Sequence, residues 1–223
     1  ALNANSVVPE VVTPTSVKTP PVVPSAATVE KTETPISPRT LTMEEKALFG
    51  GIAPNKDLQE KIAEVLDRAS LVPNENNIII SGEKETGTME TAENIVKYLT
   101  QSNRGFSGKS KVYSSADFTG KDIFAIISEM SNGVIIIDDA GNMSADLCNK
   151  LIKAGNEGEV SGILYILVDT PSGMEQLTRT YARIADYFNL RIDISVLDND
   201  KLVKYGKVYA REKEYSIDDM GVL

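Results

Sequence analysis

Between residues 55 and 69 the apolar side chains Leu58, Ile62, Val65, Leu66 and Ala69 recur at helical spacing, with Pro54 before the segment and Pro73 after it. This predicts an amphipathic helix. Residues 77–81 then form a short β-branched run that stops at Gly82, and Met89, Ala92, Ile95, Val96 and Leu99 return to the helical period. A strand, a glycine-bounded turn and a helix therefore follow one another. Further on, the pattern predicts a strand at 111–114, a helix at 121–130 with Ile123, Ile126 and Ile127 on one face, and helices at 144–154, 173–185 and 200–213. Two continuous apolar runs, 134–137 and 163–168, are closed by acids: Asp138 and Asp139 after the first, Asp169 after the second. Such runs read as central strands covered on both faces, and their alternation with helices implies a parallel sheet between helical layers. Residues 190–194 alternate apolar and charged positions, as an edge strand does. The fold expected from the pattern is α/β.

Composition divides the chain. Seven of its ten prolines fall in residues 1–40, which contain no glycine and no aromatic residue. That segment lacks the apolar surface to offset its ordering entropy and reads as a disordered Pro/Thr/Val-rich linker. It holds three acids and three bases, so the whole net charge of −9 lies in residues 41–223. An acidic domain argues against nucleic acid as a partner, because binding along a phosphate backbone needs a basic face to release counterions. No apolar run approaches the ~20 residues of a membrane-spanning helix, so no membrane span is expected. The chain begins at Ala1 without a charged n-region or an apolar h-region, so no secretory signal is expected and the chain reads as part of a longer polypeptide.

The 223 residues include no His and one Cys. This excludes Ser-His and Cys-His catalytic pairs and His-ligated metals. Cys148 alone cannot close an internal disulfide or a multi-thiolate site, which fits a reducing, cytoplasmic setting. Chemistry is left to carboxylates, Lys, Ser/Thr or a bound phosphate.

Residues 82–89 match the spacing of the phosphate-binding loop G-x-x-x-x-G-K-[ST] between a strand and a helix, with Gly82 and Gly87 in place. In that motif the Lys reaches the β/γ-phosphates and the hydroxyl holds Mg²⁺. Here Thr88 and Met89 occupy those two positions, and Glu83 and Glu85 place negative charge in the loop. Lys84 is an early-loop cation, a position that in other phosphate loops accompanies the later Lys and does not replace it. Asp138 and Asp139 have two readings. They close a strand in the manner of a Mg²⁺-positioning and water-polarising pair, or they begin a turn and cap the next helix.

The order of these segments resembles the AAA+ ATPases, within them the branch that includes red-type rubisco activase and similar bacterial modules. The resemblance covers roughly residues 47–220. It starts at Leu48-Phe49-Gly50-Gly51-Ile52, continues through Ile78-Ile79-Ile80-Ser81-Gly82 and Ser115-Ala116-Asp117-Phe118-Thr119-Gly120, and includes Gly133-Val134-Ile135-Ile136-Ile137-Asp138-Asp139-Ala140, which is similar to a Walker B strand. The resemblance implies a P-loop NTPase-like parallel sheet sandwiched by helices over residues 41–196 and the start of a small helical lid over 197–223. It implies a nucleotide site at Gly82, Gly87, Thr88, Asp138 and Asp169, with Asp138 reaching Mg²⁺ through water and Asp169 where a sensor residue would lie. Arg183, or else Arg191, falls where an arginine finger acts on a neighbouring subunit; the residues themselves favour the reading of either as a surface or strand-edge salt-bridge partner.

Two functions are expected from these readings. In the first, the domain is a catalytically degenerate, AAA+-like structural or protein-interaction module of a larger protein, a pseudo-ATPase with no cofactor, whose partners are proteins, among them other AAA+-like subunits. In the second, it is a divergent ATPase that uses Asp138, Asp139 and Mg·ATP only within a homo- or hetero-oligomer. A receiver-like signalling domain would need a Lys at the end of the last strand, which residues 190–194 do not offer.

Overall fold

The computed structural model describes residues 38–53, 55–72, 75–102, 104–156, 162–196 and isolated positions between 202 and 215. The expected linker falls almost wholly outside the described residues, and so does most of the expected lid; within the expected 200–213 helix, the described positions 202, 203, 206, 207, 210 and 211 are helical.

In chain order the elements are α1 (Met43–Phe49), α2 (Lys56–Arg68), β1 (Ile78–Gly82), α3 (Thr88–Gln101), β2 (Ser110–Ser114), α4 (Ile123–Glu129), β3 (Val134–Asp138), α5 (Ala145–Asn156), β4 (Leu164–Asp169), α6 (Pro171–Thr180), α7 (Arg183–Tyr187) and β5 (Leu190–Ile194). Short 3₁₀ turns follow β2 at Ser115–Phe118 and β3 at Ala140–Asn142. The five strands pair in parallel in the order β2-β3-β4-β1-β5. This is the expected α/β fold, a parallel sheet covered by helices on both faces.

Alternation along each strand feeds two cores. Ile78, Ile80, Val134, Ile136, Ile166 and Ile192 pack on one face with α1, α2 and α3. Ile79, Ile135, Ile137, Tyr165 and Leu167 pack on the other with α4 to α7. Central strands β1, β3 and β4 are therefore apolar at almost every position. The edge strand β5 buries Leu190, Ile192 and Ile194 and exposes Arg191 and Asp193, as its alternation predicts.

Two helical segments differ from expectation. The 173–185 helix begins earlier, at Pro171 with Thr170 as its cap, and breaks into α6 and α7 at Tyr181, whose backbone leaves the helical region (φ −128°, ψ 72°). Thr178 and Thr180 donate their hydroxyls to backbone carbonyls of the preceding turn, of Met174 and Gln176, which weakens the helix just before the break. Helix α1 is an additional element, started by a reciprocal capping box between Thr42 and Glu45. No described helix is long and apolar enough to cross a membrane.

Candidate functional site: the loop after β1 and the acids at the strand ends

In a parallel sheet every carboxyl end lies along one edge, where α/β folds hold their ligands. The loop 82–88 leaves that edge from β1, Asp169 from β4 and Asp138 from β3. Because β4 lies between β1 and β3, Asp169 stands between the loop and the acid pair.

Gly82 is required by the loop's own packing. A Cβ there would fall 2.5 Å from Thr86 Oγ1, 2.7 Å from Thr88 Cγ2 and 2.9 Å from the Ile194 carbonyl oxygen. The loop thus folds back over the end of β1. Thr86 closes it by donating both its N–H and its hydroxyl to the Glu83 carbonyl, at 3.2 and 2.7 Å. Gly87 takes a left-handed conformation (φ 84°) and starts α3 with no side-chain cap, which leaves the helix's first N–H groups without that partner. Glu83, Lys84 and Glu85 are exposed. Thr88 is the first residue of α3, and half-buried Met89 packs against the first core.

The acid pair begins a turn and does not cap the following helix. Asp138 is half-buried and accepts the Asp139 N–H at 3.0 Å. Asp139 is exposed and left-handed (φ 50°, ψ 39°), an uncommon conformation for a residue with a side chain. The Ser144 hydroxyl accepts the Leu147 N–H of α5 instead.

Asp169 has an internal job that the sequence did not reveal. Its carboxylate accepts the Gly141 N–H at 2.7 Å and the Thr170 N–H at 2.5 Å, with the Thr170 hydroxyl at 3.2 Å. It is wedged between Gly141 and Gly173, where a Cβ on either would come within 2.6 Å of it. The carboxylate is a strut joining β4, the turn after Asp139 and the start of α6. Two glycines close to strand-end acids were the available signal.

Among the arginines, Arg191 donates to both oxygens of Asp193 at 2.8 and 3.0 Å, and Asp193 also accepts from the buried Ser81 hydroxyl. Arg183 opens α7, is exposed, and has no hydrogen bond or ion pair among the described residues. Beside the acid pair, a groove of about 830 Å³ opens between the segments after β2 and β3, lined in part by Phe118, Lys121, Asn142, Leu147 and Lys150. Cys148 is buried in the second core, and burial pushes its thiol up to about 11, so it stays protonated and unreactive at neutral pH. Among the described residues no group of three or more acids or thiols is placed to hold a metal ion.

The loop keeps the glycine spacing of a phosphate loop and departs from that motif at its last two positions. Thr88 carries no ammonium, Met89 carries no hydroxyl, and Lys84 is the only cation among residues 82–90 against Glu83, Glu85 and Glu90.

No family model matches the sequence, and no curated protein does. Among solved structures, the Thermotoga maritima RuvB Holliday junction branch migration motor matches with a TM-score of 0.51 at 17% identity, over 75% of this chain and 54% of that one. A variant of the same motor gives 0.50 at 16% identity, over 75% and 52%. The fold is AAA+-like. Aeropyrum pernix ORC2 also aligns, with a TM-score of 0.48 at 13% identity over 84% of this chain and 56% of that one. The chain spans about half the length of the motor it matches.

Proposed function

We propose that this chain is a catalytically degenerate AAA+-like domain, a pseudo-ATPase that serves a larger protein as a structural and protein-interaction module. The observation that carries the reading is the pair Thr88 and Met89 at the head of α3. A phosphate loop stabilises transition-state charge through its Lys and its Mg²⁺-holding hydroxyl, and this loop has neither. Asp169 supports the reading, because its carboxylate is spent on Gly141 and Thr170. The rubisco-activase-like branch is the lineage that the Walker B-like strand favours, which is also the reason to place the domain in a bacterial cytoplasm. The net charge of −9 favours protein partners, AAA+-like subunits among them, over nucleic acid. Isothermal titration with Mg·ATP and Mg·ADP tests the reading: no Mg²⁺-dependent binding in the micromolar range is expected, and such binding would overturn it.

A second reading is favoured by two exposed groups, Arg183 and Asp139. In it the domain is a divergent ATPase, with Asp138 and Asp139 at the Mg·ATP site and Arg183 acting on a neighbouring subunit. It predicts phosphate release that rises with protein concentration and disappears in Asp138→Ala. A flat assay, alone and with an active AAA+ partner, removes it.

A further inference from the structure

Residues 38–53 run from the end of the Pro-rich segment to the loop 82–88, and both ends of that path are pinned. At the first end, Arg39 makes two paired interactions. It donates to both oxygens of Glu45 at 2.8 Å and to both oxygens of Asp67 at 2.7 and 2.8 Å. Glu45 is 1% exposed, and Arg39 is the cation that neutralises it. Along the path, Leu41, Phe49 and Ala53 are buried in the first core, and Asn94 of α3 donates to the Leu48 carbonyl at 2.9 Å. At the far end Ile52 lies over Gly87, 3.5 Å from where a Cβ on that glycine would stand.

We propose that residues 38–53 are a strap latched by Arg39, which transmits the state of the N-terminal segment to the loop 82–88. The physical link is the buried charge. When Arg39 is withdrawn, Glu45 keeps the Thr42 N–H and the Tyr98 hydroxyl as donors but is left without a counter-charge in the core, a condition that drives the group toward water. Glu45 sits inside the seven-residue α1, which is too short to hold its shape without tertiary contacts. Turning Glu45 outward therefore rolls or lifts α1, and Ile52 leaves Gly87 with it. Pull on, cleavage near, or a partner bound to the residues before Pro38 acts first on Arg39. The strap acts whether or not the loop binds nucleotide, so it stands apart from the proposed lack of hydrolysis.

Hydrogen exchange on the full chain tests this, comparing wild type with Arg39→Ala and Ile52→Ala. In Arg39→Ala, exchange in residues 43–53 and in residues 83–89 is expected to rise together by on the order of tenfold or more, with β3 and α5 unchanged, as a local opening does. Ile52→Ala is expected to speed residues 83–89 while leaving residues 39–47 at the wild-type rate. A rise confined to residues 38–49, or one shared equally by β3 and α5, overturns the proposal. If Arg39→Ala does not fold, Ile52→Ala decides alone: an unchanged loop overturns the strap.

Discussion

Asp169 shows how one carboxylate can be fixed in place by the backbone around it. Gly141 lies 28 residues earlier in the chain, and its N–H meets Asp169 only because β3 and β4 are neighbours. Asp169→Ala leaves the Gly141 and Thr170 N–H groups without their acceptor, a loss of about 1–3 kcal/mol. Gly141→Ala puts a methyl 2.6 Å from Asp169 Oδ2 and 2.7 Å from the Gly173 Cα. Backbone on one side and a fixed carboxylate on the other cannot yield cheaply, so overpacking costs about 1–3 kcal/mol as well. Urea unfolding followed by far-UV circular dichroism measures both. Because the two substitutions break one contact, the double variant is expected to fall short of their sum by at least about 0.5 kcal/mol. Full additivity would mean that Asp169 and Gly141 act separately.

At the scale of elements, the Arg39 latch makes a pH prediction. Burial alone would push the Glu45 carboxyl up, but the Arg39 guanidinium and the Thr42 N–H outweigh it and hold it at about 2, below the ordinary 4.5. A folded value below the unfolded one adds stability that is fully present above pH 4.5 and is lost as pH falls toward 2. The amount is on the order of 3 kcal/mol, from about 1.4 kcal/mol per pKa unit. In Arg39→Met the Thr42 N–H and the Tyr98 hydroxyl remain as donors against burial, but no counter-charge does, so protonating Glu45 relieves a buried charge. The stability gap between wild type and Arg39→Met is therefore expected to be largest near pH 7 and to shrink between pH 4.5 and 2, read by urea midpoints across that range. A gap that is constant with pH would dissociate Arg39 from Glu45. Helix α1 was illegible in the sequence for the same reason: its inward positions include the charged Glu45, so the apolar period that marks α2 and α3 is missing. The break at Tyr181 was equally hidden, since Ile184 continues an apolar pattern across it and only the packed structure shows the turn.

Across the whole molecule, the five strands were legible because continuous apolar runs and their bounding glycines and acids encode a doubly covered parallel sheet locally. The site was legible only as a spacing. Gly82 and Gly87 could be read because loop geometry demands glycine, whereas the roles of Asp169 and Arg191 depend on partners brought by tertiary structure. The carboxyl edge carries a loop with the glycine spacing of a phosphate loop, in which Thr88 and Met89 stand where that motif has its Lys and its hydroxyl. This yields a gain-of-function prediction. A Lys at position 88 starts from the same Cα as Thr88, whose methyl already approaches Gly82, so its ammonium can reach an anion held at the loop. A Thr at position 89 returns the Mg²⁺-holding hydroxyl at the cost of Met89 packing, about 1 kcal/mol. Glu83 and Glu85 stay in solvent, where salt screens their repulsion. Thr88→Lys with Met89→Thr is therefore expected to bind Mg·ATP at least about tenfold more tightly than the natural chain, the size of one or two charge-assisted hydrogen bonds. Titration calorimetry with and without Mg²⁺ reads the change, and adding Asp138→Ala should weaken only the Mg²⁺-dependent part. If the double variant binds no better, Thr88 and Met89 are not the obstacle, and the self-closed loop around Thr86 or its acids is.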